Sequence, residues 1–295
     1  MGDAGGDMTR PIAWLGLVLA LAARDAPGQA SVGRNRFEQR WAFAADGSVR
    51  IVNPSGRIRV IGWDSDSLAA WARGPGHFAA DGNAGVRKLV VTGRAELEVH
   101  VPRGARVWAK STSADIDVVG VEGTLDLNSV AGAIHVVGTP ADVTAETMDG
   151  PVEVAGGTGR TRVKTVSGPI LLRGASVDLG ASTLSGTIVV RAAGWQRGGT
   201  GVQRGRFESV TGDVRFDGEL GRGGIVELES QSGAIALRLP RTTVADFDLL
   251  TIGGSVTNRL TPDVGQRGVL RFSTGAGGAQ VTARSFKGNI SLEAK

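Results

Sequence analysis

Along most of the chain, apolar and polar residues alternate in short runs separated by glycine-centred turns. After Gly168, Ile170 and Leu172 alternate with Pro169, Leu171 and Arg173. Past the next turn, Val177, Leu179, Ala181 and Thr183 alternate with Asp178, Gly180 and Ser182. Gly132 opens the same pattern with Ile134 and Val136, and Gly150 opens it with Val152 and Val154. A period of two is strand patterning, with one face turned inward. Gly132, Gly150, Gly168 and Gly186 stand 18 residues apart, Ala114 sits one period earlier, and later copies fall at Gly212, Gly233, Gly254 and Gly288. A unit of this length repeated head to tail is one rung of a solenoid. The pattern therefore predicts an all-β fold: a flattened parallel β-solenoid of roughly 18-residue rungs with two short strands per rung. Right-handed winding is the default for parallel crossovers.

Each copy carries a hydroxyl residue three before its glycine and, in most, an apolar residue two before. The hydroxyl positions are Ser111, Ser129, Thr147, Thr165, Thr183, Ser209, Ser230, Thr251 and Ser285. Their inward parity predicts that they cap the corners rather than meet a ligand. Dipeptides such as Ser167-Gly168 and Ser185-Gly186 read as turns in which glycine adopts positive φ. Ser55-Gly56-Arg57-Ile58-Arg59-Val60 looks like an early rung. Residues 31–108 are expected to form an N-terminal β cap and first rungs, because a solenoid needs an atypical end over its open edge. Residues 109–295 are expected to be the repeats, continuous with the cap. Two interruptions of the stack are expected: residues 194–205, and the wider spacing between Gly254 and Gly288.

Residues 11–23 form an apolar run that is too short to span a bilayer, which needs about 20 residues. Arg10 precedes it, and Gly28-Gln29-Ala30 offers small residues where a signal peptidase reads. Residues 1–30 are therefore expected to be a secretory signal peptide, cut after Ala30. Met8-Thr9-Arg10 is a more ordinary start than Met1. Removing this leader leaves a net charge of about +5 and no transmembrane anchor. Cysteine is absent from the chain, which excludes disulfides, thiolate metal sites and a cysteine nucleophile. No concentrated basic patch of the nucleic-acid-binding kind is present.

An ordered set of motifs carries a family resemblance. Ile58-Arg59-Val60-Ile61-Gly62-Trp63-Asp64 is followed by Leu97-Glu98-Val99-His100-Val101-Pro102 and then by the [Ser/Thr]-x-x-Gly-x-Ile-x-Val copies. Toward the C-terminus come Gly275-Ala276-Gly277-Gly278-Ala279-Gln280-Val281 and Ser285-Phe286-Lys287-Gly288-Asn289-Ile290-Ser291-Leu292. Over residues 45–293 this resembles a large bacterial family of exported β-strand-repeat proteins, labelled as an adhesin domain of unknown function. The resemblance implies a β-solenoid in the cell envelope, in some members linked to envelope stress. It supplies no catalytic residues.

The chemistry is sparse. His77, His100 and His135 lie far apart without a carboxylate at ligand spacing, so neither a metal nor a catalytic residue is expected, and no cofactor. Gly156-Gly157-Thr158-Gly159-Arg160-Thr161 has Thr161 where a calcium-binding β-roll needs aspartate. Two binding candidates remain. In the 194–205 segment, Trp195, Arg197 and Arg204 place an aromatic among arginines on a loop, where recognition residues concentrate. Arg160, Arg162 and Lys164 form a basic row on one outer face, with Asp142 and Asp178 expected to flank Arg160 and Glu146 to lie beside Lys164. Charge pairing between strands accounts for that row without a ligand. Trp63 and Trp71 are expected to pack in the cap. Three functions compete: an exported, non-enzymatic adhesin-like or scaffolding protein, periplasmic or on the cell surface, contacting envelope polysaccharide or another envelope protein; a periplasmic partner in envelope-stress signalling; and a polysaccharide-active β-helix enzyme, which would need carboxylates clustered in one cleft.

Overall fold

The computed structural model describes residues 36–174, 177–192, 201–263, 268–276 and 278–295. Among them there are strands and turns but no helix. The strands form two sheets of thirteen, mostly parallel, with the core between them. Sheet one takes the strand after each corner, such as Val152–Gly156 and Ile170–Arg173; sheet two takes the next strand of the rung, such as Arg160–Thr165 and Asp178–Thr183. Inward residues stack in register. Val136, Val154, Leu172, Val190 and Phe216 form one column of sheet one, and all are buried. The two-strand solenoid of the sequence is thus the fold observed.

The corners explain the repeat. All nine hydroxyls are buried, and each accepts a hydrogen bond from the backbone N–H three residues on. For Thr165 and Gly168 that distance is 2.9 Å. Thr165 also donates to the Met148 carbonyl one rung away at 3.2 Å, as Thr183 does to Val166. Each hydroxyl therefore satisfies a buried donor in its own rung, and several tie it to the neighbouring rung. The corner glycines serve a different purpose from the one the turn reading assigned. Gly132, Gly150, Gly168 and Gly186 do not have positive φ. A Cβ on any of them would overlap the carbonyl oxygen of the corner residue one rung away. Close stacking of corners, rather than left-handed backbone, selects glycine there.

At both ends, order in space departs from order in sequence. Ser48–Val52 and Ser55–Trp63 make the first rung. Val86–Thr92 and Arg94–Pro102 stack on its outer side, and the chain then crosses to Arg106–Lys110 and Asp115–Val119 on its inner side. Buried Asn53 pins these layers, its Nδ2 donating to the carbonyls of Ala95 and Arg57. Antiparallel strands Arg36–Ala42, Ser67–Arg73 and His77–Gly82 finish the two edges. Phe37 stacks on Phe78 between the two edge strands, and Arg87 lies over Trp41.

The C-terminal end mirrors this. Ala245–Thr251 does not lie beside Leu220–Ser230; Ala279–Ser285 separates them. In sheet one, Ile290–Ala294 likewise lies between Ile235–Leu239 and Val256–Asn258. The chain overshoots by one strand spacing, turns back through Val269–Ser273, and fills the slot with its last two strands. The wide Gly254–Gly288 spacing is therefore a reordering of rungs, not an insertion beside the stack.

Candidate functional site

Three surfaces of the stack carry chemistry. The first is the basic row on sheet two. The register runs Asp142–Arg160–Asp178–Arg204 across four strands, as the rung spacing predicted for its first three members. Side chains depart from that simple pairing. Asp178, expected on an outward face, is buried, because Arg162 and Arg204 close over it from either side. Arg162 Nη2 lies 2.7 Å from Oδ1, and Arg204 Nη2 lies 3.0 Å from Oδ2. Gly180 makes room for this, since a Cβ there would meet Arg162 Cδ at 2.7 Å. Burial by itself raises the Asp178 carboxyl; the two guanidiniums outweigh it and hold the group below the usual carboxylate range. Arg160 makes no ion pair among the described residues, and Lys164 Nζ stands 3.9 Å from Glu146. The structure thus joins Arg162 and Arg204, which the sequence placed in separate candidates, and engages both in holding an internal carboxylate.

Arg204 also corrects the extent of the interruption. Val202–Ser209 is a strand of sheet two, paired along its length, so residues 202–205 belong to the stack. Trp195 and Arg197 lie outside the described residues, as does the expected signal peptide.

The second surface is one the sequence reading missed. On the outer face of the cap, Glu38, Trp71, Glu98, Arg59 and Asp117 form one cross-strand row. Trp71 is half-buried and meets the His100 ring edge-on, with centroids 4.7 Å apart; Trp63 meets the same ring at 5.2 Å. Glu98 Oε1 lies 2.8 Å from His100 Nε2, and His135 Nδ1 lies 3.9 Å from Asp117. Two histidines therefore do have carboxylate neighbours, supplied by alternate residues of one strand or by the next rung. Trp63 and Trp71 pack on the cap's outside rather than in its core. Beside Trp71 runs a groove of about 370 Å³ lined by Arg36, Arg57, Arg59, Arg73, Glu96 and Glu98. A second groove of about 540 Å³ shares Arg57, Arg73 and Glu96 and adds Arg94 and Asp115. The sequence signal was available: alternate residues of Ser55–Trp63 and Ser67–Arg73 place Arg57, Arg59, Trp71 and Arg73 on one parity.

The third is a corner ridge of the residues two before the glycines, where Val130, Met148, Val166, Leu184, Ile252 and Phe286 are exposed rather than buried. No group of three or more histidine, aspartate or glutamate side chains able to hold a metal occurs among the described residues. No described helix is long and apolar enough to cross a membrane.

The profile of one domain family, Toastrack DUF4097, matches residues 79–293, most of the chain. The chain belongs to the Toastrack DUF4097 family. That is the adhesin-labelled group of unknown function whose ordered motifs the sequence displays. Among solved structures, this Toastrack chain is similar to a candidate cell adhesion protein from Clostridium sporogenes ATCC 15579. They share 10% identity over 88% of this chain and 100% of the other, with a TM-score of 0.25. It is also similar to a candidate adhesin from Bacteroides fragilis NCTC 9343, at 8% identity over 88% and 98% of the two chains, with a TM-score of 0.42. No curated protein matches this Toastrack chain.

Proposed function

We propose that this chain is a non-enzymatic, adhesin-like protein of the cell envelope, exported through residues 1–30, that holds anionic polysaccharide on the outer face of its cap. The observation that carries this reading is the Trp71 groove. A half-exposed indole offers an apolar platform for a sugar ring, and Arg36, Arg57, Arg59 and Arg73 surround it with planar donors suited to carboxylates. Glu96 and Glu98 supply acceptors for hydroxyls. Arginine outnumbers carboxylate in both grooves, so the site favours a polyanion. Within the groove, Arg36, Arg57 and Arg59 reach Glu38, Asp117 and Glu98 at 3.7, 3.4 and 3.9 Å, and Arg73 makes no ion pair among the described residues. Elsewhere too the outward carboxylates are largely taken up in strand-to-strand pairs with arginine, such as Glu153 with Arg173 at 3.1 Å. That leaves a surface arranged for contact rather than for proton transfer.

Calorimetric titration of the purified protein with a uronic-acid oligosaccharide tests the reading. Trp71→Ala combined with Arg73→Ala is expected to weaken binding at least about tenfold with salt dependence reduced, and Arg73→Ala alone to weaken it with the melting temperature nearly unchanged. Trp195→Ala combined with Arg197→Ala is expected to leave binding intact. The reverse outcome would move the site to the 194–205 segment and overturn the cap reading.

A further inference from the structure

The apolar residue two before each corner glycine stacks on its counterpart one rung away. Backbone hydrogen bonds join this corner from rung to rung, with Met148 N donating to the Val130 carbonyl, Val166 N to Met148, and Leu184 N to Val166. The hydroxyl just before turns inward to cap the corner, which leaves the next side chain facing away from the core. Exposure runs from 40% at Val166 through 50% at Leu184 and Phe286 to 69% at Ile252. Val130 and Met148 extend the line on one side of Leu184. The half-buried Val210 and the polar Gln231 continue it toward Phe286 and Ile252, in the order the reordered C-terminal rungs dictate. The result is a ridge of exposed aliphatic and aromatic groups of a kind that marks an interaction surface. From Val130 to Ile252 its spacing is about 4.8 Å per rung, close to 34 Å in all.

The period selects the partner. A helix presents a face every 5.4 Å or so, and an extended strand repeats a face at roughly 6.6 Å. A second stack of parallel strands repeats at the same spacing as this ridge. We infer that the ridge is a self-association surface on which a second copy of this chain packs antiparallel about a two-fold axis between Leu184 and Val210. That axis sets Leu184 against Val210, Met148 against Phe286, and Val130 against Ile252 of the second copy. Gln231 falls opposite Val166.

Charge fixes the register. Two residues before the ridge, on sheet two, runs a row containing Glu146, Lys164, Ser182, Glu208, Glu229 and Arg284. The proposed axis brings Lys164 opposite Glu229 and Glu146 opposite Arg284. Sliding the copies by one rung in one direction places Glu146 against Glu229, and Lys164 against Glu208. Sliding them the other way places Lys164 against Arg284. Each neighbouring register contains like-charge contacts, whereas the proposed one sets every facing pair of charges in attraction, so that alignment is favoured. A strip this narrow falls below the roughly 800 Å² per partner of a standard interface, so the dimer is reversible.

Sedimentation equilibrium of the purified protein from about 1 μM to about 1 mM, a range spanning reversible association, tests this. Wild type is expected to show a monomer–dimer equilibrium. Leu184→Gln with Phe286→Gln introduces the side chain that Gln231 already carries at the same place in the repeat. This pair is expected to raise Kd at least about tenfold without changing the melting temperature. Lys164→Glu is expected to weaken the dimer, and adding Glu229→Lys to restore it. A monomer at every concentration would overturn the inference, as would a dimer indifferent to the glutamine pair. Failure of the charge exchange to restore association would overturn the antiparallel alignment.

Discussion

The inner rungs and the two ends are built from the same strands, yet they are stabilised in different ways. From Gly132 to Gly233 each rung lies beside the one that follows it in sequence, and every corner repeats one hydroxyl–amide bond and one close glycine contact. At the ends, neighbours in space are distant in sequence, strands run antiparallel, and aromatic pairs such as Phe37–Phe78 and Phe247–Phe272 are added to the packing. The middle is held by repetition and the ends by closure. A stack of parallel strands would otherwise offer two open edges to pairing with other chains.

The largest expected effect follows from the C-terminal slot. Ending the chain after Gly278 removes Ala279–Ser285 and Ile290–Ala294, leaving a gap between Leu220–Ser230 and Ala245–Thr251. Buried Val281, Ala283, Ile290 and Leu292 go with them. The shortened chain is expected to lose its cooperative melting transition in scanning calorimetry. If it melted like the intact protein with only a smaller enthalpy, the closing role of these strands would be disproved.

Next in size comes a corner glycine. Gly168→Ala drives a methyl group into the Gly150 carbonyl, which is backbone and cannot rotate away. A loss of roughly 3 kcal/mol is expected from overpacking, read as a shift in the denaturation midpoint. A Cβ on Gly253, the residue just before the corner glycine Gly254, would meet the Phe286 carbonyl oxygen at 3.3 Å and the Lys287 Cα at 3.6 Å, so Gly253→Ala is expected to change stability by less than about 1 kcal/mol. Equal effects at both positions would mean that close stacking of the corners is not what selects glycine there.

Asp178 sharpens the comparison within the middle, because it is a charge where the pattern calls for an outward polar residue. Asp178→Asn leaves Arg162 and Arg204 without their anion. With both arginines partly exposed and solvent-screened, a loss of about 1–2 kcal/mol is expected at neutral pH. The folded pKa is depressed, so this contribution is present above the unfolded carboxylate value of about 3.9 and fades as pH falls through the folded value. The stability gap between wild type and Asp178→Asn should therefore close in acid. A gap that stays constant down to pH values well below about 3.9 would mean that the carboxylate is not stabilised by its partners.

Much of the middle was legible in the sequence because its information is periodic. The 18-residue glycine, the inward parity of Leu172 or Val154 and the capping hydroxyls all recur, and recurrence reveals faces. The reordered ends were hidden because the repeat motif says that a rung exists without saying which rung it touches. The Asp178 clamp was hidden because its partners stand 16 and 26 residues away on neighbouring strands, and Arg162 crosses a position made empty by Gly180. The Trp71 groove and the exposed ridge were both written in the pattern. Reading them required knowing that the cap turns Trp71 outward and that the corner turns Leu184 away from the core.

The smallest expected effect tests the outer face of the inner rungs. Glu153 is an outward residue of Val152–Gly156, with His135 and Leu171 as its register neighbours, and its carboxylate reaches Arg173 at 3.1 Å. Both partners are substantially exposed, so water and salt compete for the pair. Glu153→Lys exchanges this attraction for repulsion from Arg173, yet a loss of only about 0.5 kcal/mol is expected. Raising the salt concentration should shrink even that difference, because exposed charges are screened. A penalty above about 2 kcal/mol, or one indifferent to salt, would mean that Glu153 belongs to a buried network like that of Asp178. The outer faces of the inner rungs would then be as tightly determined as their core.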